Sequence, residues 1–230
     1  MRILSLSLFT FLCLVNYAYE RPDSLPVFKS KYEVCYKAKA EKDDYTLLER
    51  EWYIDYMSDD YYEYDHEGNL KRMMHFDKKD NLKSMTIFHN HANGETERME
   101  SYKMSEGDTV LNYYVLYFYD KNDELYKSES YTEEMVLEDI TDFVDDTVKN
   151  TTAYYSYNPV SGDTTSFWYS ELNEKELSIY EKDLDYKGDI TEFWFDYEYN
   201  EYGDWIKQFI YIKEDELAYV VERELTYWEE

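Results

Sequence analysis

The sequence predicts an all-β protein: an antiparallel up-and-down meander of about a dozen strands built from repeated hairpins, as an extended sheet that is twisted or partly curled. Aromatic residues make up 20% of the chain, with 29 Tyr, and aromatic and β-branched residues favour strands. All six glycines share one setting, in which an acidic or amide residue follows the glycine. Turn signals recur every 12 to 16 residues over most of the chain, a spacing that predicts consecutive hairpins.

The turn motif is clearest at Asp65-His-Glu-Gly68-Asn69. Asp65 fits the first position of a type I turn, where its carboxylate can accept backbone N–H groups, and Gly68 fits the position that needs a positive φ. In other copies Asp replaces the glycine, and Asp tolerates the left-handed region better than most residues. The predicted structural turn residues are Asp65, Gly68, Asp80, Gly94, Gly107, Asp123, Gly162, Gly188, Gly203 and Asp215.

The stretches between the turns alternate as half-buried strands do. In the first strand, Tyr32 and Val34 alternate with Lys31 and Glu33, which predicts that the tyrosine and valine face the core and the charged residues face solvent. Cys35 then falls on the apparently polar face. A second strand is expected over residues 51–56.

Residues 133–150 break the pattern, because they contain no glycine and place Val136, Ile140 and Phe143 at helical spacing. Their β-branched content favours a strand instead. We therefore expect a helical or irregular insert here, with neither alternative settled.

The first 18 residues predict a cleavable secretory signal peptide, because Met1-Arg2 precedes an apolar run that is too short to span a bilayer. Residues 19–230 are then expected to form one β-repeat domain, located in the secreted fraction, in a periplasm or at the cell surface. Loss of the leader would remove Cys13 and leave Cys35 as the single cysteine, so we expect no internal disulfide.

The chain is strongly acidic, with 52 Asp and Glu against 24 Lys and Arg and a formal net charge of −28. Such a surface repels nucleic acid and anionic membranes, which excludes both as partners. No other apolar run approaches the length of a membrane span. High charge also raises the question of disorder, but disordered chains are poor in aromatic residues, which this chain is not.

Three turns carry a motif in which an acidic or amide residue precedes Gly or Asp, followed by Asn or Asp and then Leu or Trp: Tyr64-Asp65-His-Glu-Gly68-Asn69-Leu70, Asp77-Lys-Lys-Asp80-Asn81-Leu82 and Asn200-Glu-Tyr-Gly203-Asp204-Trp205. The motif resembles the tyrosine–aspartate (YD) repeats of the RHS family, and it is similar to hairpin repeats of exported Bacteroidetes proteins of unknown function. The resemblance implies strand pairs that wind into long sheets or shells. It implies an architecture and no catalytic residues. The copies depart from the family pattern where Gly68 is followed by Asn rather than Arg.

Two candidate metal sites fail on spacing. His89 and His91 could share a strand face, as zinc-binding pairs do, but His91 begins a predicted turn. The acidic run that starts at Asp120 resembles the start of an EF-hand loop, yet Leu125 occupies the glycine position and Tyr131 that of the bidentate acid. We expect no metal site and no cofactor, and leave weak calcium binding to the charged surface open.

No catalytic constellation stands out, since the chain has no Gly-x-Ser-x-Gly elbow and no glycine-rich phosphate loop. We therefore expect a non-enzymatic exported or cell-surface module with a binding or structural role, whose partner is an unknown protein or glycan. The alternative is a carbohydrate-binding or carbohydrate-processing protein that uses aromatic platforms and acidic residues.

Overall fold

The computed structural model describes residues 26–41, 44–50, 59–77, 79–105, 108–184, 187–213 and 216–228. The expected signal peptide, the strand expected at 51–56, and turn residues Gly107 and Asp215 lie outside these ranges. Among the residues described, no helix is long and apolar enough to cross a membrane. The described residues form fifteen strands: β1 (Phe28–Ala40), β2 (Tyr45–Arg50), β3 (Asp59–Tyr64), β4 (Leu70–Phe76), β5 (Leu82–Asn90), β6 (Thr96–Ser105), β7 (Asp108–Tyr119), β8 (Leu125–Thr132), β9 (Leu137–Asp146), β10 (Thr151–Tyr157), β11 (Thr164–Leu172), β12 (Ser178–Leu184), β13 (Ile190–Tyr199), β14 (Trp205–Tyr211) and β15 (Leu217–Tyr227).

The strands close into an antiparallel barrel. From β3 to β15 each strand pairs with the next in the chain, and β1 pairs with β3 and β2 along one edge and with β15 along the other. The ring therefore has 14 strands, β1 and β3 to β15. β2 pairs with the end of β1 that β3 does not reach. The all-β antiparallel prediction is confirmed. The open, twisted or partly curled sheet is wrong, because β1 and β15 pair from Phe28 to Lys37.

Closure has a physical reason that an open meander lacks. An open sheet leaves two edges whose N–H and C=O groups have no strand partner. An even number of up-and-down strands brings the last strand antiparallel to the first, and the twist of the sheet carries the two edges toward each other. The first and last strands of the ring then satisfy each other's backbone groups.

Most of the described hairpin turns share one backbone hydrogen-bonding scheme, seen at Asp65. Its N–H donates to Asn69 O (2.9 Å), Gly68 N donates back to Asp65 O (3.2 Å), and Asp65 Oδ1 accepts the N–H groups of Glu67 and Asn69. Gly68 has a φ of 89°, in the left-handed region. Positive φ recurs at the turn positions Asp80 (60°), Gly94 (93°), Asp123 (64°), Gly162 (73°), Gly188 (85°) and Gly203 (82°).

Residues 133–150 contain a strand rather than an insert. Residues 133–136 form a turn in which Met135 has a φ of 66°, then β9 runs to Asp146, and a second turn ends at Asn150 with a φ of 54°. Within β9, Asp139 and Thr141 are buried, so the residues alternate with the period of a strand. The β-branched residues prevail over the helical spacing because neighbouring strands pair with both sides of β9.

The two faces of β1 are the reverse of those expected. Lys31 lies opposite Tyr62 of β3, and Cys35 lies opposite Val221 of β15, on the face that carries the buried apolar residues. Lys31 is 8% exposed and Cys35 is 4% exposed. Alternation predicts which residues share a face, but not which face is inside.

Apolar side chains fill much of the interior in three clusters. The largest lies on β3 to β7, the second joins β13, β14, β15 and β1, and the third is the pair Tyr154 and Trp168, whose rings stack at 5.4 Å. Leu125 packs against both the first and the third cluster. The inner face is therefore a packed core over these strands.

The outer face combines tyrosines with carboxylates. Tyr102 Oη donates to Glu100 (2.7 Å), and Tyr131 Oη donates to Glu129 (2.6 Å), in each case two residues away on the same strand face. In these pairs each tyrosine covers the sheet with its ring and binds a carboxylate with its hydroxyl.

Met135 provides a test of the turn geometry. A residue with a Cβ costs about 1–2 kcal/mol in the left-handed region. We therefore expect the free energy of unfolding of Met135→Gly to exceed that of Met135→Ala by about 1 kcal/mol. Gly188→Ala should lose about the same amount, although its Cβ would meet nothing within 4 Å. Urea unfolding measures both. Equal stability of the two Met135 variants would contradict the placement of Met135 in the left-handed region.

Candidate functional site

A network of charged side chains lies inside the barrel at the seam between β15, β1 and β3. Glu33 of β1 accepts a hydrogen bond from Arg223 Nε of β15 (2.8 Å) and lies 3.4 Å from Lys31 Nζ. Tyr62 Oη of β3 donates to Glu33 at 3.2 Å. Burial alone would raise the pKa of the Glu33 carboxyl, but Lys31 and Arg223 outweigh it and lower that pKa to about 2.

A histidine–carboxylate pair extends this network on β3 and β4. His75 Nδ1 lies 2.6 Å from Asp60 Oδ1, and Tyr62 Oη lies 3.4 Å from Asp60 Oδ2. Such a pair can orient a general base. However, the side chains of Asp60 and His75 are only 3% and 14% exposed, and the two residues are direct partners in the β3–β4 register. The pair therefore suits a structural role at the seam.

Buried carboxyl groups also line the far wall of the barrel. Glu181 of β12 is 4% exposed and Asp139 of β9 is 7% exposed. Burial raises the pKa of Glu181 to about 7, against the hydrogen bond from the Ser178 hydroxyl, and raises the pKa of Asp139 to about 6, against those from Thr165 and Ser156. Both groups therefore change from protonated to ionised close to neutral pH, whereas Glu33 stays ionised there.

A pocket of about 590 Å³ opens to solvent at one rim of the barrel, between the β5–β6 turn and the β7–β8 turn. We call it the rim pocket. Successive turns of a meander alternate between the two ends of the barrel, so turns that are two hairpins apart become neighbours on one rim. Aromatic and acidic side chains dominate its lining, with Phe118, Tyr119, Tyr126, Glu95, Asp120 and Asp123 among them.

The aromatic residues of the rim pocket differ in how they are held. Tyr119 Oη donates to Thr96 O (2.9 Å), and burial together with the Glu95 charge raises the pKa of Tyr119 above its usual value, so its hydroxyl stays protonated. Tyr117 is 7% exposed and lies in the deeper wall. Tyr126 is 48% exposed and offers its ring to solvent.

The carboxylates of the rim pocket are unequally engaged. Asp120 Oδ1 accepts the backbone N–H groups of Asn122 (2.7 Å) and Glu124 (3.1 Å), which ties this carboxylate to the turn. Glu95 Oε2 accepts a hydrogen bond from Asn93 Nδ2 (2.8 Å). The wall is therefore rich in hydrogen-bond acceptors and carries negative charge.

The turn residues predicted from the sequence lie around both rims and do not converge on one site. Asp65, Gly68, Gly94, Asp123 and Gly203 lie at the rim that holds the pocket, and Asp123 lines it. Asp80, Gly162 and Gly188 lie at the opposite rim. The sequence pattern did not single out the pocket. Because turns alternate between the two rims, it could have placed the β5–β6 turn next to the β7–β8 turn.

The histidine pair considered for metal binding is divided. His89 lies on β5 with its Nε2 3.3 Å from Glu100 Oε2, whereas His91 lies in the next turn. Within the described ranges, no group of three or more His, Cys, Asp and Glu side chains is placed to hold a metal ion.

Three solved structures show how the backbone compares with known proteins. A porin-like protein from Bacteroides uniformis is 8% identical over 86% of this chain and 96% of that chain, with a TM-score of 0.48. A porin-like protein from Bacteroides vulgatus is 8% identical over 90% of this chain and 100% of that chain, with a TM-score of 0.39. A protein of unknown function from Bacteroides fragilis is 15% identical over 56% of this chain and 92% of that chain, with a TM-score of 0.33.

No protein-family model matches the sequence, and no curated protein matches it. The resemblance to YD repeats is therefore confined to the turn motifs, without support from a family match. Sequence identities as low as those above transfer no activity to this chain.

The buried carboxyl groups predict an acidic stability optimum. The folded-state pKa of Glu181 and Asp139 exceeds the unfolded value, so we expect the free energy of unfolding to fall as pH rises from about 4.5 to about 7. The pKa of Glu33 is lowered, so its contribution is complete above about 4.5 and is lost as pH falls toward 2. Chemical unfolding at a series of pH values across this range measures both the loss of stability at higher pH and the loss at lower pH.

Glu181→Gln should reduce the decrease in the free energy of unfolding between pH 4.5 and 7 by up to roughly 3 kcal/mol. The reason is that it removes a group whose ionisation destabilises the folded state. Glu174→Gln, at an exposed turn position, serves as the control and should leave the fall unchanged. A stability that rises steadily through neutral pH would contradict this account of the interior.

Proposed function

We propose that this protein is a non-enzymatic binding module of the cell exterior and that its ligand occupies the rim pocket. The observation that carries the proposal is the pocket itself, a concave site of about 590 Å³ lined by aromatic rings and carboxylates. A concave lining of aromatic surface with a few polar groups is typical of small-molecule sites. The ligand would reach the pocket without entering the packed interior.

The lining favours a carbohydrate as the ligand. The half-exposed ring of Tyr126 can stack on the C–H face of a sugar, while Glu95 and Asp123 can accept hydrogen bonds from its hydroxyl groups. Tyr119 is held neutral and fixed by its bond to Thr96 O, so it adds an apolar wall. A neutral or cationic sugar suits this wall better than an anionic one.

A binding role fits these groups better than catalysis does. Glycoside hydrolysis uses two carboxyl groups that flank the scissile bond, one of them with a raised pKa. Among the described residues, burial raises the pKa of the Glu181, Asp139 and Asp59 carboxyls, and none of the three lines the rim pocket. Asp120 is occupied by the turn.

The outer face supports a location in water at the cell exterior. Arg98, Lys127 and Lys207 lie on the outer faces of β6, β8 and β14, among tyrosine–carboxylate pairs. A basic side chain on the lipid-facing side of a membrane barrel costs about 2–4 kcal/mol at the midplane. Such a face suits an aqueous surround, and the expected signal peptide agrees with export.

A glycan array tests the proposal. We expect the purified protein to retain a subset of glycans, and Tyr126→Ala to weaken this retention at least about fivefold, because loss of a stacking ring removes about 1 kcal/mol or more. Tyr155→Ala is a matched control, since Tyr155 is 46% exposed and lies on the outer face of β10.

Two results would count against the proposal. Absence of retention on every glycan would remove the carbohydrate ligand. An equal loss with Tyr126→Ala and Tyr155→Ala would remove the rim pocket as the binding site.

A further inference from the structure

The outer face of β10 to β13 carries a row of aromatic rings that contact each other in two groups. Tyr155 and Phe167 lie 4.9 Å apart between ring centroids, Tyr169 and Tyr180 lie 6.3 Å apart, and Tyr180 and Trp194 lie 5.4 Å apart. These five residues are the aromatic ladder. Tyr155 is 46% exposed, so at least its first ring is open to solvent.

Carboxylates border the ladder and bind its hydroxyl groups. Tyr180 Oη donates to Glu192 Oε1 (2.6 Å), and Tyr169 Oη donates to Glu171 Oε1 (3.2 Å). The four strands contain a single basic residue, Lys182, which lies 3.7 Å from Glu192. Lys149, in the preceding turn, is paired with Asp146. The ladder thus has more carboxylates than cations.

Elsewhere on the outer face, the protein places its own cations over aromatic rings. Arg98 lies 5.1 Å from the ring centroid of Tyr114, and Lys127 lies 4.6 Å from that of Phe118. Among the described residues, no Lys or Arg lies over a ring of the ladder in this way. The ladder therefore presents ring faces and carboxylates to cations from outside the chain.

We propose that the aromatic ladder is a docking surface for a lysine- and arginine-rich segment of a partner protein. The aliphatic part of a Lys or Arg side chain would pack on the rings, with its charge directed to Glu171 and Glu192. Charge complementarity selects this occupant, because the chain carries a net charge of −28. The same charge disfavours a second copy of this chain, since two such surfaces repel each other.

Titration of the full chain with a peptide of alternating Lys and Ser tests the proposal, with Trp fluorescence or calorimetry as the readout. We expect Glu192→Gln and Tyr155→Ala each to weaken binding by about threefold to tenfold, the range for an exposed cation–π or charge contact. Glu67→Gln removes the same charge in the β3–β4 turn, whose strands carry no ring of the ladder, and Tyr202→Ala removes a ring of similar exposure from the β13–β14 turn. Both controls should weaken binding less than about twofold.

Each other outcome overturns the proposal. Equal losses with Glu192→Gln and Glu67→Gln would indicate diffuse attraction to an acidic surface. No loss with Tyr155→Ala would remove the rings from the contact. Equal binding of a peptide with Gln in place of Lys would remove the cation. Loss of glycan retention with Tyr155→Ala, and no change in peptide binding, would assign the ladder to carbohydrate instead.

Discussion

The pairing of β1 with β15 is the interaction on which the rest of the structure depends. It joins residues that are far apart in the chain, such as Glu33 and Arg223, which are separated by 190 positions. The entropy of closing so long a loop grows only slowly with its length, and closure satisfies the backbone groups of both edges. At this seam, Glu33 lies between two cations. Removal of one partner from such a buried group leaves a charge without compensation.

Closure also explains the composition. A closed barrel has an inner and an outer face, and this chain places polar residues on both. Inside, Glu33 is paired with cations, and burial raises the pKa values of Glu181 and Asp139. Outside, tyrosine rings cover the sheet while their hydroxyl groups bind carboxylates, as Tyr131 binds Glu129. Tyrosine serves on both faces, because Tyr62 and Tyr154 belong to the inner clusters.

The sequence predicted the features that depend on a few neighbouring residues. The turn at Asp65 and Gly68 could be recognised because its hydrogen bonds lie within five residues. Met135, Asn150 and Glu176 also have positive φ, but two of these residue types give no signal of it. Closure of the sheet and the inward face of β1 could not be predicted, because they depend on the number and twist of all the strands. The rim pocket needed the further step of placing alternate turns on one rim.

Hydrogen exchange at individual backbone amides of β15 tests closure most directly. In the barrel, residues 219–222 pair with β14 on one side and with β1 on the other, so all of their amides should be protected about as well as those of β10. Rapid exchange at every second amide of residues 219–222, at the rate of the turns, would contradict the closed barrel and show a free edge.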